Sequence, residues 1–197
     1  MRNAKNESEI LMTPIQKSLW MPLSFALILS SVPALAADEP AAAPSDPEIA
    51  HIVVTANQVD VDAGKLAKSR TKNAEVKKFA EQMITDHTAV NKQATELAGK
   101  LHVKPADNAV SKSLKDGGDK NMADLKKRKG EDFDHHYVDH EVAYHQAVLD
   151  AIDKTLIPSA KNAELKALIE KVRPAIAAHL EHAKMMQKSM GGAQASS

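Results

Sequence analysis

The stretch FAEQMITDHTAV, residues 79–90, decides how the chain is read. Extended in both directions, Val76, Ala80, Met83, His87, Val90, Ala94, Leu97 and Leu101 step by four and three along one stripe. That is the spacing of one face of an amphipathic helix. Every member is apolar except His87, so an ionisable ring stands where a core residue belongs.

Helix start and stop signals place three further stripes around this one. The first helix opens with Ser45 or Asp46 as cap, Pro47 at its first position and Glu48 in its first turn, and ends near Arg70. Its stripe runs Ile49, Ile52/Val53, Ala56, Val59/Asp60, Ala63, Leu66/Ala67, with Asp60 as the ionisable member. The second helix starts at the Asn73 cap and runs to about His102, with Pro105 beyond it. The connection VKPADNAVSKSLKDGGDK, residues 103–120, is broken by Gly117 and Gly118, and a short helix over 121–128 adds Met122 and Leu125 to the core. Helix three, 131–154, places Phe133, Tyr137/Val138, Glu141, Tyr144/His145, Val148 and Ile152 on one face, until Pro158 and Ser159 close it. Helix four opens near Asn162, carries His179 on its stripe, and contains Pro174, which removes one backbone hydrogen bond and is expected to kink it. The tail from 190 to 197 is expected to be disordered.

Short first and third connections and one long middle one make this an all-α, ferritin-like four-helix bundle over residues 47–189, with one long crossover between helices two and three. Low aromatic content (3%) and no cysteine agree with a helical bundle held by its hydrophobic core alone. The 26 basic and 26 acidic residues interleave, so no clustered basic face exists for phosphate backbones, and nucleic acid is excluded as a partner.

Counted from the helix starts, Asp60 lies about 13 residues in, His87 and His145 about 14 and His179 about 17, all near mid-helix at about 1.5 Å per residue. Each helix therefore contributes one ionisable group to the same layer, and Glu141 joins it one turn from His145. Burying such groups costs several kcal/mol unless they are paired, hydrogen-bonded or metal-bound. Imidazole and carboxylate are ligands for Zn, Fe and Mn. A transition-metal site of Asp60, His87, Glu141, His145 and His179 is one expectation; a metal-free polar layer that fixes helix register is the other. A di-iron centre of the ferritin type needs Glu-x-x-His on two helices, whereas Ile84 and Ile176 stand three residues before His87 and His179. A mononuclear site suits the inventory better.

Secondary candidates are His136 with His140 and His135 with Asp139, each pair on one helix face, and the soft-metal set His179, His182, Met185 and Met186. Asp86 falls off the His87 stripe and is expected to make an inter-helix hydrogen bond. Asp134 and Tyr137 are expected to be structural. The chain has no phosphate loop, dinucleotide fingerprint or nucleophile with an adjacent base.

Ahead of the bundle, Lys17, the apolar run LWMPLSFALIL and SSVPALA form a secretory signal over residues 1–36, cut between Ala36 and Ala37, with an uncleaved anchor as the competing interpretation. Either Met1 or Met12 can be the start; Glu7 and Glu9 are unusual in a signal's leading region, which favours Met12. Three basic residues (Arg2, Lys5, Lys17) and those two glutamates precede the cut, so the mature chain carries a formal charge of −1. Residues 37–46 are a flexible linker. The expected location is the periplasm, with no transmembrane segment in the mature chain.

The elements DAGKLAKSRTKNAEVKKFAEQMITDHT, FDHHYVDHEVAYHQAVLD and RPAIAAHLEHAKMM, with the Asp86–His87 pair, Phe133, Asp134, Tyr137, His145 and His179, resemble the bacterial exported family catalogued as domain of unknown function 4142. The resemblance spans about residues 46–189 and implies a ferritin-like fold, an exported location and no established activity. Where the family pattern has glutamate in the first helix, this chain has Asp60. The resulting expectation is an envelope or stress-related protein, non-enzymatic, with a metal in its core and an envelope protein as a partner. The alternatives are a mononuclear metal-dependent oxidase or peroxide-handling enzyme, and a metal-free helical interaction module. Oligomeric state is not encoded in any of these features.

Overall fold

The computed structural model describes residues 42–194, with side chains as far as residue 191. The signal segment, its cleavage point and the linker up to residue 41 lie outside the described residues. Among the described residues the regular structure is all helix, and no helix is long and apolar enough to cross a membrane.

Helix α1 spans Asp46–Arg70. Its start is fixed as the sequence dictates: the Glu48 carboxylate accepts from the Ser45 amide at 2.8 Å and from the Ser45 hydroxyl at 2.6 Å, and Pro47 occupies the first turn, where its missing N–H costs nothing. Helix α2 spans Ala74–Lys100, with the Asn73 side chain accepting from the Glu75 and Val76 amides. Helix α3 spans Ala109–Lys127. Helix α4 spans Gly130–Ala151 and continues without a break through a π turn, Ile152–Leu156, and a closing α turn, Ile157–Ser159. Helix α5 spans Ala163–Gln194; Asn162 caps it by accepting from the Glu164 and Leu165 amides, and the helix runs on through Pro174. It extends past residue 190, so the expected tail is helical as far as Gln194.

Contacts at the two ends of the bundle set the chain directions. At one end Arg70, closing α1, donates to the carbonyls of Leu125 and Lys126, closing α3, and lies over the Phe133 ring at the start of α4. At the other end the Asp46 carboxylate accepts from the amides of Lys161 and Asn162 before α5. Helices α1 and α5 therefore run one way and α2 and α4 the other. The pairs α1·α2 and α4·α5 make the most extensive contacts, and α3 lies along α1. This is the ferritin-like arrangement, with its long crossover folded into a helix.

That crossover differs from the sequence expectation. The helix expected over 121–128 begins at Ala109 and passes straight through Gly117 and Gly118. Glycine weakens a helix, but here close packing requires one: a Cβ on Gly118 would lie 2.7 Å from Val59 Cγ2 of α1. Asn108 gives the helix a firm start by accepting from the Ser111 amide at 2.8 Å. The break expected at Gly130 is present, with φ at +57°, a conformation glycine adopts without strain.

The core divides into two apolar clusters. One contains Ile49, Ile52, Val53, Leu149, Ile152, Leu165, Leu168 and Ile169. The other contains Ala63, Ala67, Phe79, Met83, Phe133, Tyr137, Val138 and Ala183. Near the boundary of the two clusters each long helix buries polar side chains: Asn57 and Asp60 on α1, His87 on α2, Glu141 and His145 on α4, and His179 on α5.

Candidate metal centre

The 3.6-residue repeat brings one or two ligand-type side chains from each long bundle helix into the layer between the clusters. Asp60 comes from α1, His87 from α2, Glu141 and His145 from α4 one turn apart, and His179 from α5. All five are buried, with relative exposures between 0% for Glu141 and 3% for Asp60 and His179. The sequence-derived layer is thus assembled in full.

The three imidazoles form a nearly equilateral triangle. Ring centres are 5.5 Å apart for His87–His145, 5.3 Å for His87–His179 and 5.5 Å for His145–His179. An ion with bonds near 2.1 Å to nitrogen sits about 3.2 Å from each ring centre, so tetrahedral angles would set the centres about 5.2 Å apart. The observed triangle is within a few tenths of an ångström of that figure. One ligand atom from each of the three rings lies within 4.8 Å of the others, and the same holds for Asp60, Glu141 and His145. His145 belongs to both groups, and its Nδ1 lies 3.3 Å from Glu141 Oε2, so the two groups adjoin through this ring.

The outer nitrogen of each ring is held, and the partner fixes the tautomer. Asn57 on α1 donates through its amide nitrogen to the Val53 carbonyl at 2.7 Å, which turns its oxygen toward His87 Nδ1, also at 2.7 Å. An oxygen can only accept, so Nδ1 carries the proton. His145 Nδ1 donates to the Glu141 backbone carbonyl at 3.0 Å. His179 Nε2 donates to the Asp86 carboxylate at 2.9 Å. The remaining nitrogens, His87 Nε2, His145 Nε2 and His179 Nδ1, are buried and make no hydrogen bond, and neither does Asp60 Oδ1; Asp60 Oδ2 lies 3.5 Å from His87 Nε2, and Glu141 Oε2 lies 3.3 Å from His145 Nδ1. Metal-ligating histidines are typically oriented in this way through the second nitrogen.

Crowding these groups perturbs their protonation. Burial, reinforced by the neighbouring His145 and His179, depresses His87 to about 3. Burial, followed by the Glu141 carboxylate, raises Asp60 well above the ordinary carboxylate range. For His145, burial acts downward, but Glu141 and Asp60 together outweigh it and raise the ring to about 9. Burial lowers His179, partly offset by Asp86. Burial thus keeps Asp60 and His87 neutral while the carboxylates hold a second proton on His145; a divalent cation would displace that proton and pair with the carboxylates in its place. The donor set fits a transition metal in both ligand type and spacing.

Two participants, Asn57 and Asp86, lie outside the sequence-derived ligand set. Asn57 lies on the Val53–Asn57–Asp60 step of the α1 stripe, one residue from the Ala56 position assigned there. Asp86 makes the expected inter-helix bond, and its partner is His179. The remaining candidates separate in space. His140 stacks on Tyr144 at 5.5 Å, and neither it nor His136 joins a metal-capable group among the described residues. His182 packs edge-on against Phe79, Met186 is in the core and Met185 is exposed, so the soft-metal set does not converge. Tyr137 is fully buried with its ring edge toward Phe79, as expected of a structural residue, and burial followed by Glu141 and Asp60 raises its hydroxyl well above the ordinary value.

An apolar cavity of about 130 Å³ adjoins this layer, with Asp60, His87 and Asn57 in its wall. Compared with known proteins, residues 31–186 match the family model described as Domain of unknown function (DUF4142). No curated protein and no solved structure matches the chain.

Proposed function

This chain belongs to the DUF4142 family, and on that premise we propose that its bundle is an exported metal-binding module, holding one transition-metal ion between the two halves of its core. His87 Nε2, His145 Nε2 and His179 Nδ1 are the nitrogen ligands, and a carboxylate oxygen of Asp60 or Glu141 completes the site. Asn57, the Glu141 carbonyl and Asp86 keep the three rings in the ligating tautomer. The observation that carries the assignment is the convergence of three buried imidazole nitrogens that make no hydrogen bond, each on a ring held through its other nitrogen. Three imidazole nitrogens, His145 after release of its second proton, with one carboxylate suit Zn, Fe or Mn. When bound, the ion would neutralise the carboxylates and link α1, α2, α4 and α5.

The role is structural or binding rather than catalytic, in the periplasm, as part of envelope maintenance or stress tolerance. Five ligand-type side chains exposed by 3% or less support a closed site. One observation favours a second assignment, a mononuclear metal-dependent oxidase or peroxide-handling enzyme: the apolar cavity reaches Asp60 and His87, and a catalytic ion needs an approach for its substrate. The test is metal uptake by single variants. His87→Ala abolishes binding of zinc while His136→Ala leaves it unchanged; equal loss in both would move the site to the surface of α4 and contradict the assignment.

A further inference from the structure

The cavity beside the polar layer has a composition unlike the layer itself. Its wall is built mainly from aliphatic side chains of α1, α4, the π turn and α5, among them Val53, Val148, Ile152, Leu168 and Ile176. At one boundary stand Val110 and Leu114 of α3, and Val110 is one of two large apolar side chains exposed on the described surface, at 42%. At another stand Asn57, Asp60 and His87. The Tyr144 hydroxyl, also on the wall, is occupied in donating to the Ala56 carbonyl at 3.0 Å. No lysine or arginine lines the space, so nothing there would stabilise an anionic group.

The π turn, Ile152–Leu156, contributes Ile152 and Leu156 to the wall. Such single-turn expansions are frequent at functional sites, since the inserted residue shifts the side chains that follow it. A well-packed core has few voids larger than a water molecule. An engineered apolar cavity of about 150 Å³ in another protein remains dry and takes up benzene or xenon. A space of about 130 Å³ is close to that size.

We infer that this cavity is a binding site for a small, uncharged apolar molecule of about the size of benzene or phenol, with any polar atom of the ligand turned toward Asp60 and His87. The hydrocarbon body lies among Val53, Val148, Ile152 and Leu168, and entry is past Val110 and Leu114. The assignment goes beyond the metal site and stands on the cavity alone, since the apolar wall is present whether or not an ion is bound.

The test is calorimetric titration of the purified chain, metal-free and zinc-loaded, with toluene, phenol and benzoate. Toluene and phenol bind in both forms, and benzoate, of similar size but charged, binds at least about tenfold more weakly. Ala56→Leu and Ala151→Leu each place a larger side chain in the space and weaken toluene by about tenfold or more, while zinc uptake is retained. His87→Ala loses zinc and still binds toluene, which separates the two sites. No toluene binding up to its solubility limit would overturn the inference. So would benzoate binding as tightly as toluene, or unchanged toluene affinity in both filled variants with helical content intact. Toluene binding in a chain that takes up no zinc would sustain the cavity assignment and end the metal one.

Discussion

Replacing Asn57 with leucine removes the group that decides which nitrogen of His87 carries the proton. In the native chain the Asn57 amide is anchored on the Val53 carbonyl at 2.7 Å, and its oxygen accepts from His87 Nδ1 at 2.7 Å. Leucine has the same branched shape and number of side-chain heavy atoms but bulkier methyl ends, so any overpacking cost in this buried position is read separately from the stability of the metal-free variant. Without the acceptor, a proton on Nδ1 is buried and unpaired, at a cost of about 1–3 kcal/mol. The ring escapes that cost by moving the proton to Nε2, where the Asp60 carboxyl lies 3.5 Å away. Nε2 is the nitrogen proposed to meet the metal, so the relaxed ring blocks the site. Loss of such an orienting partner weakens metal binding by about 10- to 100-fold, or about 1.4–2.7 kcal/mol. Competition against a chromophoric chelator at neutral pH measures this for zinc, with thermal unfolding of the metal-free forms run in parallel. An affinity within about threefold of the parent, in a folded variant, would refute the tautomer argument.

Neighbouring glycines give two opposite forecasts. Gly117→Ala adds a methyl group to open space and stabilises the chain by about 0.5–1 kcal/mol, whereas Gly118→Ala drives a methyl into Val59 and destabilises it by about 1–3 kcal/mol. Urea unfolding distinguishes them, and Val59→Ala in the same chain should restore most of the second loss. Acid should act through His87. Its folded value of about 3 lies below the ordinary 6.5, so its contribution to stability is complete above pH 6.5 and lost as pH falls toward 3. Relative to His87→Leu, the metal-free native chain should lose about 4 kcal/mol between pH 7 and pH 3, read from denaturant midpoints at each pH. A difference independent of pH would show that the ring is solvated.

Much of this architecture is legible in the sequence because it rests on periodicity. The caps at Ser45, Asn73 and Asn162, the break at Gly130 and the mid-helix positions of Asp60, His87, His145 and His179 all follow from local chemistry and a 3.6-residue repeat. What is not legible depends on neighbours distant in sequence. Gly117 and Gly118 read as a break because their helix propensity is poor, and only the approach of Val59 explains why a glycine belongs inside α3. Asn57 carries no charge to mark it, and its neighbour Ala56 fits the same stripe. The spacing of Asp86 sets it off the His87 stripe, but its partner on α5 depends on how the helices are set against each other. The π turn at Ile152–Leu156 has no residue signature of its own, and the cavity it borders is a property of packing alone.

The central claim is that the buried histidine triangle holds an ion. It is tested most directly by elemental analysis of the untagged protein purified from its native compartment without chelators. The account predicts about one equivalent of a single transition metal per chain, lost in His87→Ala. Less than about a tenth of an equivalent of every transition metal would contradict it, and would leave the layer as a metal-free polar network.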